Sequence, residues 1–160
     1  MIKSPTFLFL LLFLSLPVVA DSNFDRMETI SEELTTLMYQ AMIDQAETEG
    51  ADVSNLKSAI PDTSWDEPMR AAGKCILDKY REKTNESAIS AMFDKIEEML
   101  PAIRSGGILE MDELGDVQPE GITDQQAMAI NKNCGMTDLQ QERMMSSGFM
   151  TALMQSMSGN

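Results

Sequence analysis

The side chains of this chain with chemistry to offer are two cysteines, a group of methionines near the C-terminus and a surplus of carboxylates, and no histidine accompanies them. Without imidazole the commonest general base and the commonest metal ligand are missing. Ser-His-Asp and Cys-His catalysis and His-ligated zinc are therefore excluded. Cys75 and Cys134 form an even pair, which in an oxidising compartment reads as one disulfide. Closing a loop of about 60 residues stabilises a fold by roughly 4 kcal/mol on the chain-entropy account. A redox-active pair would be expected to show C-x-x-C spacing, which these two lack.

Methionine is abundant, with 15 in the chain. At 100° per residue, Leu139, Met145, Phe149, Met150, Leu153, Met154 and Met157 span an arc of about 180°, wider than the stripe of roughly 100° that one core contact needs. Met145, Phe149, Met150, Leu153, Met154 and Met157 are accordingly the candidate partner-binding residues, because Met-lined helical surfaces adapt to apolar segments of varied shape. The competing explanation is a helix wedged between two neighbours. Met150-x-x-x-Met154-x-x-Met157 also sets three thioethers on adjoining positions of one helix face, which makes a soft-metal (Cu(I)) or small-ligand carrier the alternative function.

The remaining charged groups point to less. Glu110, Asp112, Glu113, Asp116 and Glu120 are hard oxygen ligands, but the D-x-[DN]-x-[DN]-G calcium pattern is absent. A carboxylate pair of the glycosidase kind needs aromatic sugar platforms, and the chain has one Trp and two Tyr. Arg70, Lys74 and Arg81 make a basic stripe that either docks an anionic group or pairs with an acidic helix of the same chain. Asn85-Glu86-Ser87 is a formal glycosylation acceptor. The expectation is a non-enzymatic chain with no cofactor.

Charge narrows the partners. The 26 acids and 12 bases give a net charge of −14, and nucleic acid is excluded as a partner by repulsion. The turn from Cys134 to Thr137 has helix-turn-helix spacing, but this charge makes it an αα-hairpin rather than a DNA reader. Lys3, the apolar run from Phe7 to Leu16 and the small residues up to Ala20 have the organisation of a cleaved signal peptide, Met1 to Ala20. The apolar run is shorter than the roughly 20 residues a bilayer span needs, so no stable membrane insertion is expected after cleavage. The sequence reads as an exported protein, periplasmic or secreted, with residues 21–160 as a single helical domain.

The elements that must position these groups are all helical, since apolar residues recur at three and four throughout and no alternating stretch appears. The expected class is all-α, a small bundle of five main helices plus one short one. The first carries Phe24, Met27, Ile30, Leu34, Leu37, Met38, Ala41 and Met42 on one side and stops at Gly50, with Thr29-x-x-Glu32 as an alternative later start. A short turn spans 52–60, ended by Pro61. The third begins at a Ser64/Glu67 capping box, runs to about Lys83 and presents Met69, Ala72, Cys75, Ile76 and Tyr80. The fourth follows a cap at Thr84-Asn85, carries Ile89, Met92, Phe93, Ile96, Met99, Leu100 and Ile103, is loosened by Pro101 and ends at Gly106-Gly107. An acidic loop, expected to be the most mobile part, fills 107–122. Thr123-x-x-Gln126 starts the fifth, which is stopped at Gly135, and Thr137-x-x-Gln140 starts a sixth that runs toward Met157. The function this pattern favours is an exported protein-binding module, of adaptor, inhibitor, immunity or chaperone type, whose partner is another protein or a peptide.

Overall fold

The computed structural model describes residues 21–105 and 117–158, and every regular element among them is a helix, seven in all. The expected leader, residues 1–20, lies outside the described residues, as do Gly106, Gly107, Glu110, Asp112, Glu113 and Asp116. Helix α1 spans Ser22–Thr48 and starts where the Asp21 side chain accepts from the Phe24 amide. No second start arises at Thr29, whose hydroxyl instead donates to the Asp25 carbonyl within the helix. Beyond its C-terminus Gly50 takes φ +85°, the left-handed turn expected of it. The short α2 spans Ser54–Ser58.

Helix α3, Glu67–Arg81, is capped differently from expectation: Asp66, not Ser64, accepts from the Met69 amide. Ser64 is drawn away, since its own amide and hydroxyl both donate to Asp62 Oδ1. Asn85 caps α4, Glu86–Arg104, which continues past Pro101 for another turn. Thr123 and Gln126 close the expected capping box on α5, Asp124–Asn133.

The expected sixth helix is two helices. Helix α6 spans Met136–Ser146 and α7 spans Phe149–Ser158. The break falls at Gly148, where φ is +80° and the amide donates back to the Met145 carbonyl at 3.2 Å. Ser147 Oγ then accepts from the Phe149 amide and starts α7. A glycine in the left-handed region ends a helix whatever the apolar pattern on either side of it. The expected Thr137/Gln140 cap is also displaced, since α6 is entered two residues earlier, from Gly135.

At 1.5 Å per residue α1 is about 40 Å long, and it serves two separate apolar clusters. The first gathers Ile30 of α1 with Trp65, Met69, Ile76, Leu77 and Tyr80, with Ile89 and Phe93 of α4, and with Ala127, Ile130 and Met136. The second holds Tyr39, Ile43 and Ala46 from the C-terminal half of α1, with Val53, Leu56, Phe149 and Ala152. Trp65 lies so close over α3 that a Cβ at Gly73 would stand 2.2 Å from its ring. Cys75 and Cys134 are joined, with Cα atoms 5.7 Å apart, and so tie α3 to the end of α5.

Candidate functional site

The candidate binding residues divide at the Gly148 elbow. On the α6 side Leu139 turns inward to the first cluster, Met144 packs against the second, and Met145 is 61 % exposed. On the α7 side Phe149 is fully buried, packed edge-on to Tyr39 with ring centroids 4.8 Å apart, and Ala152 is buried beside it. Met150 and Leu153 are half-buried, and Met154 is 60 % exposed. The Met157 side chain lies outside the described residues. The arc read from the sequence is therefore not one open face, because its inward part is divided between two clusters. Phe149, expected as a binding residue, is a core residue.

Beside the elbow lies an open cleft of about 440 Å³, lined by Pro61, Asp62, Ser64, Trp65, Arg143 and Ser147 among others. Arg143 is its central group. Its guanidinium donates to the carbonyls of Asp62 at 3.0 Å and Ser64 at 2.6 Å and pairs with the Asp66 carboxylate at 2.8 Å. The Met69 amide and Arg143 together hold the Asp66 carboxyl below the usual carboxylate range. The Ser64 hydroxyl and amide do the same for Asp62. Arg143 thus fastens α6 to the chain entering α3. Burial pushes the Tyr39 phenol up. No sequence motif announced this clamp, because Arg143 and its carbonyl partners are about 80 residues apart.

The basic stripe is spent within the chain. Arg70 pairs with Glu28 of α1 at 2.6 Å, and Lys74 pairs with Asp78 one turn along α3 at 3.0 Å. Arg81 binds Asp21 at 2.7 Å and also pairs with Asp78 and Glu86. Contact with Glu86 raises the Arg81 guanidinium, and Arg81 with Asn23 holds the Glu86 carboxyl low. Asn23 is the buried polar side chain that sequence reasoning passed over, and its amide donates to Glu86 at 2.7 Å. Asn85 of the glycosylation tripeptide is exposed and caps α4 through its side chain.

Among the described residues no group of three or more Cys, Asp or Glu side chains is placed to hold a metal ion, and no helix is long and apolar enough to cross a membrane. Met150 and Met154 of the thioether set lie one turn apart on α7. Comparison with protein-family models, with curated protein sequences and with solved structures gives no match.

Proposed function

We propose that this chain is an exported, non-enzymatic binding module, a single helical-bundle domain that takes a partner protein or peptide at the C-terminal elbow. The contact residues are Met145 and Met154, with the half-buried Met150 and Leu153 between them. The observation that carries the reading is the exposure of Met145 and Met154 on helices whose inner residues are already committed to two cores. Large apolar side chains left in water at a bend, on flexible thioether stems, suit an apolar ligand segment of variable shape. The chain's net charge of −14 favours a partner segment with basic flanks. Export is supported by the leader-like first twenty residues and is compatible with the Cys75–Cys134 bridge.

The test is a photo-crosslinking amino acid placed in turn at positions 145, 154 and 132, the last on exposed Lys132 of α5 as a control. Irradiation in the exported compartment is expected to give one adduct of defined mass from 145 and 154 and none from 132. Equal labelling at all three positions, or none at any, would refute the proposal. Cu(I) titration of the purified protein separates this reading from the thioether carrier: the binding module takes up no copper, whereas stoichiometric uptake lost in Met154→Leu would replace it.

A further inference from the structure

The two-residue link between α6 and α7 and the pocket that α7 fills lead beyond that reading and do not depend on the exposed methionines. Gly148 holds φ +80°, yet nothing lies within 4 Å of where its Cβ would be. Glycine is therefore required there by backbone sign and not by space. Helix α7 docks by seating Phe149 and Ala152 among Tyr39, Ile43, Ala46, Val53 and Leu56. Helix α7 also lies beyond the covalent staple, which closes at Cys134. Along one edge the docking is open, since a cleft of about 360 Å³ runs between α2 and α7, lined by Asn55, Ala152 and Ser156 among others.

The sequence on the two sides of the link keeps one helical register. Leu139, Met145, Phe149, Met150 and Leu153 fall on a common arc if the helix runs on through Gly148. A single helix from Met136 to Ser158 would keep these residues on one face. Straightening removes the turn that brings Phe149 back to Tyr39, so the helix carries Phe149 and Ala152 away from their own pocket. The pocket that remains has a shape and apolar lining already matched to one segment, α7 of an identical chain.

We infer that this chain has a minor second form, an exchanged dimer in which α6 and α7 fuse into one helix and each copy's α7 fills the second copy's pocket between α1 and α2, with the docked monomer as the major form. The arrangement is two-fold and closed, since each copy gives and receives the same helix. Every buried contact of the monomer is kept, and the differences are confined to the link and to any contact between the two long helices. A short link favours exchange, and a lengthened one disfavours it.

Gly148→Ala is the direct test. Alanine is penalised at positive φ and favoured inside a helix, which shifts the bent-to-straight balance by roughly 30-fold per link and the dimer constant by about a thousand-fold, two links changing together. Native mass spectrometry and light scattering across a concentration series are expected to show the variant mainly dimeric where the natural chain is mainly monomeric. Mixing isotope-labelled and unlabelled dimers should give hybrids only after partial unfolding, as an exchanged helix requires. A Gly148→Ala chain that stays monomeric with α7 still docked would overturn the inference. So would a dimer that persists in Gly148→Ala with Phe149→Ser, since that contact would not use the pocket. Should Gly148→Ala fail to fold, the natural chain refolded at high concentration is compared with one carrying three extra glycines after Gly148. A trapped dimer in the first and not in the second upholds exchange, and equal behaviour overturns it.

Discussion

The two ends of α1 are held by different physics. Its N-terminal half is fixed by ion pairs and by core packing: Arg26 reaches Asp94 at 2.7 Å and Glu97 at 2.9 Å, Glu28 meets Arg70, Glu33 meets Arg104, and Ile30 enters the larger cluster. Arg26 also lies 5.6 Å above the Phe93 ring. Its C-terminal half gives Tyr39, Ile43 and Ala46 to the smaller cluster, and Lys57 with Glu47 is the ion pair that ties it to α2. The first region is also crossed by the disulfide. Charge pairs and a covalent tie fix register and direction, whereas apolar docking alone is non-directional and can be met by any matching surface. The end with fewer ion pairs is also where Met154 is exposed, while the exposed Met145 lies two residues from the Arg143 clamp on α6.

The comparison breaks most readily at Phe149. Phe149→Ala should cost roughly 4 kcal/mol, within the span of large aromatic truncations, and the loss should be confined to α2, α7 and the end of α1. Amide exchange that rises there while α3 and α4 keep their protection is the expected pattern, and equal loss in α3 would make the two clusters one cooperative unit. Replacing Cys75 and Cys134 together by serine should cost roughly 2–4 kcal/mol and act on the other region, read as a lower Tm with α7 docking unchanged. Gly73→Ala sharpens the contrast from inside the first cluster: with Trp65 in the way it should destabilise by roughly 1–3 kcal/mol, seen as altered Trp65 fluorescence and a lower denaturation midpoint.

Acid gives the smallest effect. Arg104 holds the Glu33 carboxyl below its usual range, Lys74 and then Arg81 do so for Asp78, and Arg81 and then Asn23 for Glu86. Carboxyls lowered by folding stabilise fully above their unfolded values and lose that contribution as pH falls through the folded ones, here below about pH 4. These pairs are exposed, so the Arg81–Glu86 contribution is about 0–1 kcal/mol. A Tm-against-pH scan should fall below pH 4 and fall less in Arg81→Met, whereas parallel curves would show that Arg81 fixes nothing.

What the sequence made legible was local. Asn85, Gly50, Gly135 and the Thr123/Gln126 box act on backbone groups within a few residues, and the structure places each where its type requires. The Cys75–Cys134 pairing was legible because two cysteines allow one bridge within a chain. The link at Ser147-Gly148 was missed because the apolar pattern fits one helix equally well across it, although Ser146-Ser147-Gly148 was a stop signal of poor helix formers. Ser64 and Asp66 competed for one cap, and Asp62 decided it by engaging Ser64. Which methionines face water depended on where two clusters lie, and only the packed chain determines that. The Arg143 clamp and the Asn23–Glu86 bond join residues far apart in sequence, for which no spacing rule exists.

The most direct measurement of the difference between the two regions is hydrogen exchange by mass spectrometry on the oxidised protein at neutral pH, resolved helix by helix. The account predicts that α7, α2 and the last turns of α1 open together, at a free energy well below that of α3 and α4. Protection as deep in α7 as in α3 would contradict it, since the C-terminal helix would then be as firmly anchored as the stapled core.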